Sequence, residues 1–136
     1  MDNNIIISEL KKLIDTAIME DEVPIASLII ENDKIIGKGY NQVESTQNFM
    51  NHAEVIAIND AMKHKNNWRL NNCILYTTLE PCSMCNEIIK KSRIKKVIYF
   101  SKKTNDINNI VPIFEYKNID FFSEVLSQFF IDKRNK

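Results

Sequence analysis

Apolar residues recur at helical spacing at Ile6, Leu10, Leu13, Ile14, Ala17 and Ile18, which predicts a first helix over about residues 5–20. The period then changes. Residues 25–31 and 34–40 are β-rich runs joined by Asn32-Asp33, and they predict a hairpin. Helical spacing returns with Ala53, Ile56, Ala57 and Ala61, over about residues 52–65. An apolar strand is expected at 73–78. A third helix, about 83–92, carries Met84, Ile88 and Ile89, and a further strand follows at 97–100. Phe121, Val125, Leu126 and Phe129 form the stripe of a C-terminal helix, while Asn-rich patches at 66–72 and 105–109 read as loops. The order is α-β-β-α-β-α-β, then a loop and a last helix. A hairpin followed by βα repeats predicts a mixed sheet sandwiched by helices, an α/β fold. Right-handed crossovers put the two central helices on one face of that sheet.

Composition narrows the class. The 136 residues fit one compact domain, 1–136. Hydrophobic residues at 44% and charged residues at 26% are ordinary globular usage, which excludes a disordered tail, a collagen-like rod or a coiled coil. The apolar runs are too short for a helix that spans a bilayer, so no membrane partner is expected. The N-terminus is acidic and broken by polar residues, unlike a signal or transit peptide. Three cysteines argue against a disulfide framework and for a reducing cytoplasm, where thiols are free for metals or catalysis. Gly37 and Gly39 are the only glycines, too few for a phosphate loop or dinucleotide fingerprint, so no nucleotide cofactor is expected.

Charge adds one feature. Lys+Arg and Asp+Glu are 18 each, but they are unevenly placed. Residues 1–22 hold six acids and two lysines. Residues 90–103 hold seven basic residues and no acid, and Lys133, Arg134 and Lys136 end the chain. Such blocks mark either a nucleic-acid footprint or a solvated lysine-rich surface.

Two short pieces carry the chemistry. His52-Ala53-Glu54 opens the second helix, and Pro81-Cys82-Ser83-Met84-Cys85 opens the third. Side chains on a helix lean toward its N-terminus, so first-turn residues can converge on a point ahead of it. His52 and Glu54 lie about 200° apart on an ideal helix and cannot share a lateral face, but they can share such a target. Cys82 and Cys85 are three apart and do share a face. Two thiolates and an imidazole are three good zinc ligands, leaving a fourth tetrahedral position for water. Helix N-termini also favour thiolates. Zn²⁺ with two thiolates and a neutral histidine is about neutral, hence a mild Lewis acid that needs a base nearby, and Glu54 is the candidate. A structural zinc knot and a Cys-x-x-Cys redox pair are the alternatives, and neither explains the His-x-Glu pairing. H-x-E…P-C-x-x-C is the zinc deaminase signature.

At this point the chain resembles the bacterial tRNA-specific adenosine deaminases of the cytidine deaminase superfamily, over roughly residues 6–101 and weakly over the last helix. The matching segments are Asp21-Glu22-Val23-Pro24, His52-Ala53-Glu54, Trp68-Arg69-Leu70, Thr78-Leu79-Glu80-Pro81-Cys82-Ser83-Met84-Cys85 and Ser92-Arg93-Ile94. The resemblance implies a three-layer α/β/α cytidine-deaminase-like fold with a central mixed sheet of about five strands. It implies hydrolysis of adenosine to inosine at the wobble position of a tRNA anticodon loop, one zinc per subunit, and a homodimer whose partner helps hold the RNA. His52, Cys82 and Cys85 then match the zinc ligands and Glu54 the proton shuttle. Asn41 matches an asparagine that hydrogen-bonds the target base. Ala53 lies beside that base with its N–H as a contact, and Ile25 lines the pocket. Phe129-Phe130 with Lys133-Arg134 looks like the family's C-terminal pair and basic helix. Helical phase puts Phe129 in the core and Phe130 at the stripe's edge, where it could stack on RNA.

Two places depart from the family. Ala26-Ser27 replaces a Gly-Ala pair, and Ser101-Lys102-Lys103-Thr104-Asn105-Asp106 replaces an Asp-x-Lys-x-Gly-Ala loop. Either the enzyme grips RNA with lysines there, or its substrate differs. A deaminase of a free nucleobase or nucleoside, of guanine or cytosine type, therefore stays open, as does a non-catalytic RNA-binding partner, which the presence of Glu54 disfavours.

Overall fold

The computed structural model describes residues 1–102 and 120–134. The chain divides at Asn105 into two units. The first contains α1 (Asn3–Met19), the strands β1 (Ala26–Glu31) and β2 (Lys34–Tyr40), a short α2 (Val43–Thr46), α3 (Ala53–Lys65), β3 (Ile74–Thr77), α4 (Ser83–Lys91) and β4 (Lys96–Tyr99). The second contains α5 (Asp120–Arg134).

Local sequence accounts for most of these elements. Asp2 caps α1 by accepting the Asn4 N–H at 2.9 Å. Ile6, Leu10 and Ala17 bury its apolar stripe, whereas Ile18 at the fraying end is exposed. Asn32 and Asp33 both take left-handed φ, 50° and 58°, as a two-residue hairpin turn of type I′ requires. The missed element is α2. Four residues carry no readable period, and its capping comes from elsewhere: Glu22 accepts the N–H groups of Glu44 and Ser45 at 3.1 and 2.7 Å.

The sheet order is β2-β1-β3-β4. β1 runs antiparallel to β2 and β3, and β3 runs parallel to β4. Alternation along the strands splits the core. Leu28, Ile30 and Tyr76 face α1 through Ile6, Leu10, Leu13 and Ile14. Ile29, Leu75 and Val97 face the other way, onto Ala57, Ile58 and Ala61 of α3 and Ile88 and Ile89 of α4. Helices thus cover both faces, with the two central helices on one, as expected. The described residues form four strands rather than about five. Four stretches of the sequence have strand character, and each is one of these strands; the fifth came only with the resemblance. The loop expected at 105–109 and most of the divergent 101–106 segment lie outside the described residues.

The two glycines set how closely α3 approaches the sheet. A Cβ on Gly37 would stand 2.3 Å from the Ala57 carbonyl oxygen, and one on Gly39 would stand 2.3 Å from that of Ala53. Gly37 and Gly39 are two apart on β2, and Ala53, Ala57 and Ala61 are four apart on α3. Small residues thus meet along one line and place the first turn of α3. Asp60 Oδ2 accepts the Lys38 N–H of β2 at 3.0 Å, occupying a donor of this edge strand.

Candidate active site

The site is assembled from two helix starts. His52 is the N-cap of α3, with extended backbone (φ −71°, ψ 155°), and Cys82 is the N-cap of α4 (φ −72°, ψ 172°). Because His52 is a cap and not part of the helix, the 200° separation from Glu54 does not apply. Its ring turns back across the helix end. His52 Nδ1 lies 3.6 Å from Cys82 Sγ and 3.4 Å from Cys85 Sγ. His52, Cys82 and Cys85 are the one group among the described residues whose ligand atoms could hold a metal ion, all within 4.8 Å of one another.

The spacing fits zinc. Bonds of about 2.3 Å to sulfur and 2.0–2.1 Å to nitrogen at tetrahedral angles separate the ligand atoms by roughly 3.5 Å. The donor chemistry agrees. Burial pushes the Cys85 thiol far up, and the neighbouring Glu54 carboxylate pushes it further. A cation at this point would reverse that preference and hold the thiolate. Cys82 Sγ also receives the Cys85 N–H at 3.5 Å, so the backbone of α4 turns a donor toward the sulfur.

Glu54 is 4% exposed, in the first turn of α3. Its Oε1 accepts a hydrogen bond from Thr77 Oγ1 at 3.0 Å. Thr77 Oγ1 in turn accepts from Ser27 Oγ at 2.8 Å. Neither hydroxyl stood out in the sequence. The readable signal was parity: Ser27 and Thr77 occupy positions that face α3, where Ile29 and Leu75 are apolar.

The remaining expected residues fall in two places. Asn41 is buried just after β2, and its Oδ1 accepts the Ala53 N–H at 2.8 Å. The amide expected to face a base is therefore donated within the protein. The reason is local: the first amides of a helix lack intrahelical acceptors, and Asn41 supplies one. The Asn41 N–H binds the Ile25 carbonyl at 3.1 Å, so Ile25, Asn41 and Ala53 are consecutive neighbours. Phe130, Lys133 and Arg134 lie on the last turns of α5, all exposed. The division of Phe129 into the core and Phe130 outside is not seen. Both are 54% exposed, and their rings pack edge to face at 5.5 Å. Lys133 also sits 5.7 Å over the Phe129 ring.

The basic residues Lys90, Lys91, Arg93, Lys95 and Lys96 are exposed around the C-terminal end of α4. Cys82 and Cys85 open that helix, about 13 Å away along its axis. A surface cleft of about 520 Å³ lies at the far end of α3, lined by Asn59, Met62, Lys63, Trp68 and Arg69 among others. It contains no acid, histidine or cysteine and is not the chemical site.

Known proteins are similar to this chain. A family model described as MafB19-like deaminase matches residues 1–134. The tRNA-specific adenosine deaminase of Aquifex aeolicus is 36% identical over 132 residues, covering 88% of this chain and 87% of its own. The chain belongs to the tRNA-specific adenosine deaminase family. The homologue of Streptococcus pyogenes serotype M18 is 41% identical over 91 residues, covering 67% of this chain and 57% of its own length. Among solved structures, one from a study of A-to-I editing by tRNA:A34 deaminases at the wobble position superposes with TM-score 0.73 at 27% identity. It covers 76% of this chain and 79% of that one. The guanine deaminase of Bacillus subtilis superposes with TM-score 0.77 at 26% identity, covering 94% of both chains. The deaminase fold expected from the resemblance is therefore present. No helix among the described residues is long and apolar enough to cross a membrane.

Proposed function

We propose that this protein hydrolyses adenosine to inosine at the wobble position of a tRNA anticodon loop, releasing ammonia. The observation that carries the reading is the convergence of His52, Cys82 and Cys85 beside buried Glu54 in a member of this family. Zinc, held by those three side chains, one ion per subunit, supplies a Lewis-acidic position that acidifies water. Glu54 accepts the proton released as water adds to the carbon bearing the amine. It delivers that proton to the adjacent ring nitrogen. It then carries the second water proton to the departing amine, so that water and adenosine become inosine and ammonia.

Asn41 spends its carbonyl oxygen on the Ala53 N–H and keeps its Nδ2 protons for the base. Ala53 and Ile25 line the pocket beside it. The base must leave its stack to enter, which costs a few kcal/mol, less in a loop than in a duplex. Phe130 stacks on RNA, and Lys133 and Arg134 meet its phosphates. The enzyme acts as a cytoplasmic homodimer that binds the anticodon stem-loop.

A second reading, deamination of a free nucleobase such as guanine, is favoured by the likeness to the guanine deaminase over 94% of both chains. One experiment separates them. Zinc-loaded protein is incubated with a tRNA transcript bearing a wobble adenosine, and inosine is quantified by mass spectrometry after digestion, with Glu54→Ala alongside. Glu54-dependent inosine is the expected result. No inosine from folded, metallated protein, with ammonia released from guanine, would replace the first reading by the second.

A further inference from the structure

Three side chains form a buried line from the sheet to the site. Ser27 and Thr77 are both fully buried, and they are cross-strand partners on β1 and β3. Burying a hydroxyl in an apolar layer is costly unless it is hydrogen-bonded. Here two hydroxyls occupy the end of the layer that Ile29 and Leu75 otherwise fill. Their bonds run in one direction. Each hydroxyl has a single hydrogen. An ionised Glu54 can only accept, so the Thr77 hydrogen goes to its Oε1 at 3.0 Å, and the competing Ala26 carbonyl is farther at 3.5 Å. Thr77 is then left with lone pairs, and Ser27 donates to one at 2.8 Å. Each donor strengthens the next by polarising it.

We propose that Thr77, backed by Ser27, is a positioning residue for Glu54. The inference rests on the reading of Glu54 as the proton shuttle. A carboxylate that must collect a proton at one point and release it at two others needs a defined orientation. Thr77 anchors one oxygen, Oε1, from the sheet side, while the carboxylate also neighbours Cys85. The anchor is a neutral donor, so it orients the carboxylate without pairing its charge.

The test compares Thr77→Val, which keeps the shape and removes the hydroxyl, with Thr77→Ser, which keeps the hydroxyl. Both are assayed for zinc content, thermal unfolding, kcat and KM, on whichever substrate the wild type turns over. Hydrogen bonds to charged groups predict that Thr77→Val lowers kcat about 10- to 100-fold with KM within about twofold. Thr77→Ser should recover most of the loss. In a Glu54→Ala background, Thr77→Val should cost nothing further. A folded, zinc-loaded Thr77→Val enzyme with wild-type kcat would overturn the inference, as would equal losses in the two backgrounds. If Thr77→Val does not fold, Ser27→Ala takes its place, with an expected loss of about 3-fold in kcat and again none without Glu54; an unchanged kcat there overturns the inference. Failure of the underlying reading looks different: Glu54→Ala would itself retain turnover.

Discussion

At the N-terminal end of α3, Glu54 meets Thr77, which is backed by Ser27. At its C-terminal end, Lys65 meets Glu31, which Cys73 also reaches. Both clusters tie α3 to β1, and both are built on a glutamate with a neutral donor, Thr77 within β3 in one and Cys73 just before it in the other. They differ in what balances the carboxylate. Lys65 Nζ stands 2.7 Å from Glu31 Oε2, and Cys73 Sγ donates to the same oxygen at 3.2 Å. The lysine, then the thiol, hold the Glu31 carboxyl below its ordinary range. Cys73 is pushed up to about 12, chiefly by burial and then by its bond to Glu31, so it stays a thiol. That cluster is locked in one protonation state near neutrality. Glu54 has a hydroxyl donor, candidate metal ligands beside it and, among the described residues, no cationic side chain bonded to it. A carboxylate paired with lysine is a clamp. One oriented by a hydroxyl alone has no such partner for its charge.

The largest effect is expected from the ligands. Cys82→Ala should lose both zinc and activity and unfold at lower temperature, because metal binding is coupled to folding. Metal analysis and a melting curve check this, and a fully metallated Cys82→Ala protein would refute the ligand set. Next comes the direct contrast of the two glutamates. Glu54→Ala should keep zinc and lose about 10²–10⁴-fold in kcat. Glu31→Ala should keep kcat within about twofold and lose stability instead. Urea unfolding and steady-state kinetics on the two variants decide it, and a kcat loss of similar size in Glu31→Ala would erase the distinction.

Gly39→Ala probes how α3 is placed between the clusters. Its new Cβ would meet the Ala53 carbonyl and the Ala57 N–H, 2.3 and 2.6 Å away, and both are backbone atoms that cannot rotate aside. A destabilisation of about 1–3 kcal/mol is expected, as for other overpacked sites. It should be accompanied by weaker zinc binding, since His52 moves with the helix start. Unchanged zinc affinity would mean that the site tolerates a shifted α3.

The smallest effect belongs to the clamp. Lys65→Met should cost about 1 kcal/mol or less, because the pair is partly open to solvent. Its pH dependence has a definite sign. Glu31 has a depressed folded-state pKa, so its contribution is present above the unfolded carboxylate range and is lost as pH falls through the folded value. The gap between wild type and Lys65→Met, measured by denaturant unfolding, should be open at pH 7 and close as the pH falls below the ordinary carboxylate range. A gap that persists at low pH would assign it to packing of the lysine stem.

Much of this was legible in the chain. Helical and alternating periods located every element longer than four residues in the described chain, because burial on one face imposes those periods. The His-x-Glu and Pro-Cys-x-x-Cys pieces supplied the three side chains that converge as a candidate metal group and Glu54 beside them, because zinc ligation restricts residue type and spacing so tightly. Asn41 was legible as a candidate site residue but not as the acceptor for the Ala53 amide. Phe129 was misassigned to the core because helical phase says nothing about two adjacent rings packing on each other. Glu22 showed only as part of a motif, and its use as a remote cap for α2 depends on residues more than twenty positions later.

What the sequence determined alone is the set of local facts: which segments are helix or strand, and which side chains are the candidate metal ligands and acid–base residue. Those follow from periodicity and donor chemistry within a few residues. The tertiary structure decided what meets what. Strand register made Ser27 and Thr77 partners, and two glycines against three alanines laid the start of α3 over them, so that Glu54 arrived at a donor from β3. Such pairings join residues fifty and twenty-three positions apart. No local pattern encodes them, because they exist only once sheet and helix have packed.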